Sequence, residues 1–295
     1  MVLVVGATGV LGRRVVADLR AASRAVRAMT RTPATADDLR ALGAEVVAGD
    51  LVDPPSLARA CAGARQVVAS AHGMIGRGRY RSEAVDDEGH RALVAAAQAA
   101  GIEHFVYISA IGASPTHPVD FFRTKHAIEH HLRASGLPFT IIRAAAFMEW
   151  HAHEFNGRHI LAGRAATLLG RGTKRRNFVA AADVARIVRR VLDDPALRGE
   201  TIEIGGPGNY TDNEVAAMYG RAAGLTPRVR HVPPAALRVM AALLGPVAPG
   251  VSRIMRMAAL DDDAWDATFD AGPVAARHNL NLTSLDQFIA DRLYR

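Results

Sequence analysis

The segment MVLVVGATGVLGRR, residues 1–14, decides the fold. Val2, Leu3, Val4 and Val5 form an unbroken apolar run, mostly β-branched, which suits a parallel strand buried on both faces. Gly6, Gly9 and Gly12 follow at three-residue spacing, and an apolar helical stripe of Leu11, Val15, Val16 and Leu19 begins at once. A strand, a glycine turn and a helix in that order can hold a dinucleotide. Gly6 permits the tight turn, Gly9 lets the backbone approach a pyrophosphate, and Gly12 lets the helix pack closely on the strand. The backbone of Thr8, Val10 and Leu11 lies at the helix N-terminus, where unpaired amides and the positive end of the helix dipole face the phosphates. The flanking strand and helix distinguish this turn from a surface loop that happens to carry three glycines.

Outward from this segment, strand-like runs recur at residues 25–29 (AVRAM), 44–48 (AEVVA), 66–70 (QVVAS), 104–109 (HFVYIS) and 138–143 (PFTIIR). Helical patterns separate them, ending at 42 and spanning 54–61, 82–100 and 119–135. Six strands alternating with helices predict an α/β fold with a doubly wound parallel sheet, a Rossmann core over residues 1–206. Short strands at 177–179 and 201–204 flank a helix at 182–192. Residues 207–295 read as a smaller lobe over the crevice, a usual place for substrate selection. In it, Thr211 with Glu214 and Ser284 with Gln287 form capping boxes that open helices, and residues 235–244 read as an apolar helix. The second strand ends without the Asp or Glu that accepts from an NAD ribose, and Arg31 stands there instead. A planar guanidinium suits a 2′-phosphate, so NADPH is expected rather than NADH, with Arg13 adding a second positive charge. The Gly- and Arg-rich loop at 71–81 follows a strand C-terminus, the edge that lines the ligand crevice in such sheets.

Composition narrows the function classes. With 49% hydrophobic and 22% charged residues in 295, the chain is an ordinary globular protein with a sizeable core. The formal charge of +7 comes from arginine scattered along an alanine-rich chain. That pattern fits a solvated surface and a phosphorylated cofactor better than nucleic acid, which is not expected as a partner. The longest apolar run, residues 232–251, contains four prolines, Gly245, Gly250 and Arg238, so no membrane span is expected. Cys61 is the single cysteine, which excludes an internal disulfide and fits a reducing compartment. A buried strand starting at residue 2 leaves no room for a leader, so a cytoplasmic protein acting on a small molecule is expected, with a homodimer as an open option.

Four stretches carry a resemblance: GATGVLG at 6–12, GDL at 49–51, DDEGHRALVAAAQAAGIEHFVYIS at 86–109, and KHAIEHHLRASGLPFTIIR at 125–143. Together they resemble the atypical short-chain dehydrogenases, and within them the NmrA-like group of NADPH quinone reductases and redox-sensing regulators. The match runs from residue 1 to about residue 149 and, more loosely, to residue 206. The resemblance implies that Asp50 binds the adenine amino group and Leu51 packs on the ring. It also implies that Ser70 and Ala71 run beside the cofactor and that residues 144–147, with Ala145 and Phe147 among them, flank the nicotinamide. Typical members carry a Tyr-x-x-x-Lys pair; here that spacing holds Phe121 and Lys125. A phenyl ring donates no proton. Lys125 is left to hold the ribose and to serve as acid or base in a desolvated site, and Ser109, at the end of the fifth strand, is a second candidate for polarising a substrate oxygen.

Two other patterns compete for attention. His126-Ala127-Ile128-Glu129-His130 matches the H-x-x-E-H string of a zinc protease helix, but the segment already serves as a crossover helix, so no metal is expected. Met148, Trp150 and Phe155 interleave with His151, His153 and Glu154 after the sixth strand, apolar bulk that suits a flat, quinone-like substrate. The expected function is NADPH-dependent hydride transfer to a quinoid or conjugated carbonyl compound. The alternatives are a non-catalytic NADP(H)-binding sensor and an epimerase or dehydratase, the latter disfavoured by Phe121.

Overall fold

The computed structural model describes residues 1–260 and 263–293. The chain forms two compact units, one of Met1–Arg143 with Val184–Ile202, the other of Ala144–Asp183 with Glu203–Arg295. It therefore passes between them three times, whereas the sequence suggests one boundary, at 206/207. The reason is a second core. Met148, Ala152, Ile160, Ala166 and Phe178 pack with Val215, Tyr219, Leu285 and Phe288 rather than under the sheet.

The first unit is built on β1 (Val2–Val5), β2 (Val26–Thr30), β3 (Glu45–Ala48), β4 (Gln66–Ala69), β5 (His104–Ala110) and β6 (Phe139–Ala144). A seventh strand, β10 (Thr201–Ile204), completes the sheet in the order β10-β6-β5-β4-β1-β2-β3. Strand β1 pairs in parallel with β2 on one side and β4 on the other, so the winding reverses at the β1/β4 boundary. Open α/β sheets bind ligands at that switch point, outside the strand C-termini. The helices are α1 (Val10–Ala21), α2 (Asp37–Ala41), α3 (Pro54–Cys61), α4 (Gly89–Ala99) and α5 (Asp120–Ala134), with most of α7 (Ala181–Asp193). The sheet core is apolar and continuous, from Leu3 and Val5 through Val67, Phe105 and Tyr107 to Ile141. The expected long helix at 82–100 starts instead as a π-helical turn over Glu83–Glu88 before α4 begins. Such widened turns gather at functional sites because they re-aim side chains.

The second unit contains β7 (Ala146–Phe147), β9 (Arg176–Val179) and β11 (Asn209–Tyr210) in one small sheet, and β8 (Ala166–Leu169) with β12 (Val229–Val232) in another. Its helices are α6 (Arg158–Leu161), α8 (Asp212–Ala223), α9 (Pro234–Leu244), α10 (Pro249–Ala258), α11 (Gly272–His278) and α12 (Leu285–Leu293). The two expected capping boxes are present: Thr211 and Glu214 exchange hydrogen bonds at the start of α8, and Ser284 and Gln287 do so before α12. Buried Asp183 accepts from both the amide and the hydroxyl of Thr283, which fixes the approach to α12.

Candidate functional site

At the switch point the three glycines have three different environments. Gly6 takes φ +85°, and a Cβ there would lie 2.7 Å from the Ala71 nitrogen, so the ends of β1 and β4 touch across the crevice. A Cβ on Gly12 would lie 2.1 Å from the Gly6 carbonyl oxygen and 2.8 Å from the Ala7 Cα, so only glycine lets α1 sit against the turn. Gly9 is the N-cap of α1, and its Cβ would meet nothing nearer than the Gly6 oxygen at 3.2 Å. That single close contact is looser than those at Gly6 and Gly12. No acidic residue stands in the first turn of α1. Exposed Thr8 and Gly9, with Val10, Leu11 and Gly12, thus form a cradle with the backbone geometry and dipole that a pyrophosphate requires.

Arg31 and Asp50, the residues expected at the adenosine end, are both engaged by residues 79 and 80 of the glycine-rich loop. The Arg31 guanidinium lies 4.5 Å from the centroid of the Tyr80 ring, which Arg79 flanks at 5.2 Å. Arg79 also reaches Asp50 Oδ2 at 3.7 Å. Asp50 Oδ1 accepts from the Val52 amide, which fixes the carboxylate, and Leu51 is buried against Gly89. Ser70 donates its hydroxyl back to the Val5 carbonyl at 2.9 Å, locking the ends of β1 and β4 together. Arg13, expected as a second phosphate ligand, is paired with Asp38 and donates to the Thr8 carbonyl.

Lys125 is buried on α5, one turn after the half-buried Phe121. Its ammonium donates to the Ile108 carbonyl at 2.9 Å and lies 4.8 Å from the Tyr107 ring centroid and 5.7 Å from that of Phe121. Burial pulls the Lys125 pKa below the ordinary lysine range, opposed by the charges of Asp86 and Glu129. A phenol does stand beside Lys125, but on β5: Tyr107, packed edge-on against His90 with ring centroids 5.5 Å apart. The Tyr107 hydroxyl and His90 Nε2 are buried without a hydrogen-bond partner. Orphaned buried polar atoms are uncommon and mark places where a ligand, a water or a moving proton completes them. The π-helical turn produces this arrangement. His90 Nδ1 bonds the Val85 carbonyl at 2.9 Å, five residues back, and Asp86 turns inward to accept from Ser82 and from the Gly73 amide. Burial, reinforced by the Lys125 charge and opposed by Asp86, pulls the His90 pKa down to about 4.

Ser109, the second candidate, donates its hydroxyl to Glu129 Oε1 at 2.6 Å. Glu129 is fully buried and also takes two hydrogen bonds from Arg143, at 2.9 and 2.7 Å. Burial pushes the Glu129 carboxyl up, but the bonds from Arg143 and Ser109 outweigh it and hold it below its ordinary range. This occupies the central carboxylate of the H-x-x-E-H string, while His130 is exposed. Among the described residues, no three His, Cys, Asp or Glu side chains assemble as a metal-ligand set. His90, Tyr107 and Asp86 escaped the sequence reading as site residues, and Glu129 entered it only through the H-x-x-E-H string. The available signal was a charged residue on an apolar stripe, since Lys125 and Glu129 share the buried face of α5 with Ile128 and Leu132.

The remaining candidates belong to the second unit. Ala145 and Phe147 are partly buried around β7, and Met148 is in that unit's core. Met148–Gly157 is a second π-helical segment, which leaves Trp150 and Phe155 about half exposed with ring centroids 6.4 Å apart. His151 stands edge-on to Phe155, and His153 Nδ1 lies 3.3 Å from the Tyr219 hydroxyl.

Comparison with known proteins supplies a frame. The model of the NmrA-like family matches residues 1–289. An NAD(P)H azoreductase from Xenophilus azovorans is 30% identical over 76% of this chain and 74% of its own. The photosystem II assembly factor Ycf39 of Trieres chinensis is 25% identical over 99% of this chain and 92% of its own. The crystal structure of an NADPH-dependent quinone oxidoreductase from Escherichia coli, complexed with NADPH, superposes with TM-score 0.76 at 23% identity, covering 100% of both chains.

Proposed function

This chain belongs to the NmrA-like family, and we propose that it is an NADPH-dependent oxidoreductase that reduces a flat quinoid or conjugated carbonyl compound. The observation that carries the reading is the buried Lys125, set between Tyr107 and Phe121 in the same unit as the glycine cradle. The names of the azoreductase and quinone oxidoreductase relatives support it. Bound NADPH supplies the hydride. The chain's own residues do the rest. The α1 amides hold the pyrophosphate, Asp50 takes the adenine amino group, and Arg31 leaves the Tyr80 face or keeps one side on it while it binds the 2′-phosphate.

Lys125 orients the nicotinamide ribose and gives a proton to the substrate oxygen as that oxygen gains charge. Burial makes this transfer easier than from a solvated ammonium. Phe121 has no proton to give, Ser109 is turned to Glu129, and burial pushes the Tyr107 phenol up, so none of the three is a ready acid for a simple ketone. A quinone needs less acid help, because its reduced oxygen is a stabilised phenolate.

The test follows NADPH oxidation with quinones, enones and simple ketones, by the native chain and by Phe121→Tyr. Turnover of quinones by the native chain, with ketone reduction appearing only in Phe121→Tyr, is the expected pattern. Tight NADPH binding with no turnover of any acceptor would replace the reductase with a sensor.

A further inference from the structure

The sequence suggests Arg13 as the second charge beside Arg31 at a 2′-phosphate, but Arg13 is committed to Asp38. A different arginine stands by Arg31. Residues 73–81 fold into a tight loop. A Cβ on Gly76 would lie 1.8 Å from the Tyr80 carbonyl oxygen, the Tyr80 amide donates to the Arg77 carbonyl at 3.1 Å, and the Gly73 amide is tied to Asp86. The loop lays the partly buried Tyr80 ring against the sheet core. Two guanidinium groups share that ring, Arg31 at 4.5 Å from its centroid and Arg79 at 5.2 Å.

Two like charges on one ring call for an anion. Arg31 makes no ion pair among the described residues. The carboxylates that follow it on α2, Asp37 and Asp38, are taken by Arg40 and Arg13. Arg79 meets only Asp50 Oδ2, at 3.7 Å, which is too long for a hydrogen bond, and its side chain is 64% exposed. A guanidinium stacks by its face and binds phosphate oxygens by its edge, so an arginine on Tyr80 keeps its edge for an anion. From this arrangement we propose that Arg79 is the second arginine that reads the 2′-phosphate of NADPH, and that Tyr80 is a positioning residue that holds the two guanidinium groups together. As Asp50 turns to the adenine amino group, Arg79 is released from it to the phosphate. The proposal rests on the reading of Arg31 as the residue at the cofactor's 2′-phosphate, and adds the loop that completes its selectivity.

The experiment is calorimetric titration of the full chain with NADPH, NADH and two probes that lack the nicotinamide, adenosine 2′,5′-bisphosphate and adenosine 5′-monophosphate. Arg79→Ala should weaken NADPH and the bisphosphate by roughly tenfold, the low end for a hydrogen bond to a charged group because the site is open to water. NADH and the monophosphate should be nearly unchanged. Arg79→Lys should restore part of the loss, since it returns the charge without the planar fork. Tyr80→Leu keeps apolar packing and removes the ring face, so NADPH should weaken by about two- to fivefold. Tyr80→Phe should match the native chain. NADPH affinity untouched by Arg79→Ala, an equal change for NADPH and NADH, or a loss in Tyr80→Phe as large as in Tyr80→Leu overturns the proposal. A native chain that binds NADPH no tighter than NADH overturns the Arg31 reading itself, so the two failures are told apart.

Discussion

The glycine turn and the lysine cluster, both in the first unit, solve opposite problems. The turn at residues 6–12 gets its shape by removing side chains. Its specificity lies in atoms that are absent, and its neighbours are backbone. The cluster around Lys125 buries side chains that prefer water, drawn from β5, α4, α5 and the π-helical turn. The first is local in sequence and indifferent to pH. The second is assembled from residues far apart, and burial shifts the pKa of several of its members. The lesson is that a binding turn is sensitive to added bulk, whereas a buried reactive group is sensitive to changes in its surroundings.

The sharpest break between the two comes from Gly9→Val. A Cβ on Gly9 meets only the Gly6 oxygen, at 3.2 Å, so the free protein should absorb the side chain with a small shift while NADPH binding collapses, by about three orders of magnitude or more, and the circular dichroism spectrum is kept. Gly12→Val should instead damage the fold, because its Cβ has no space. Undiminished binding by Gly9→Val would remove the cradle from the site. Next, Lys125→Ala should lower kcat by about 10²- to 10⁴-fold if the lysine supplies the proton. A change confined to KM would reduce Lys125 to a positioning residue. Third, Arg31→Ala should weaken NADPH by roughly 1.5–3 kcal/mol, the range for a hydrogen bond to a charged group, and leave NADH nearly untouched. Equal losses in a titration with both cofactors would show that Arg31 does not read the phosphate.

Acid separates the regions more gently. His90 and His104 are buried, and burial pulls each to about 4 from an unfolded value of 6.5. The unfolded chain therefore takes up protons that the folded chain refuses. The stability from keeping these rings neutral is complete above the unfolded pKa and falls as pH drops from 6.5 towards 4, by up to one proton per histidine. Denaturant midpoints measured across that interval should decline, and His104→Gln should flatten the decline. A midpoint independent of pH there would mean that the rings are not held neutral.

The sheet and the glycine turn were legible because their signals are periodic and local. Val2–Val5, the spacing of Gly6, Gly9 and Gly12, and the capping boxes at Thr211 and Ser284 each state their structure within a few residues. The division into units was not legible, because the second core joins Met148 and Phe178 to Tyr219 and Phe288 across long stretches of chain. The widened turn at Glu83–Glu88 was not legible either. It rests on the inward carboxylate of Asp86 and the His90–Val85 bond, and in the sequence those residues look like any helix start. Arg31 was identified by what its position lacks, an acidic residue, but its stacking on Tyr80 depends on how a glycine-rich loop folds back.

The salt bridge between Glu129 and Arg143 has a consequence for cellular abundance. Replacing Arg143 leaves the buried Glu129 carboxylate only the Ser109 hydroxyl and a longer contact to Arg133 at 3.4 Å, and breaking a buried pair costs up to about 3–5 kcal/mol. Typical domains hold only about 5–15 kcal/mol in total. The variant would therefore populate unfolded forms more often, and proteases clear those. A survey that scores mutants by activity in cells would rank Arg143 with the catalytic residues, although its guanidinium acts on Glu129 and its measured loss would be one of protein quantity.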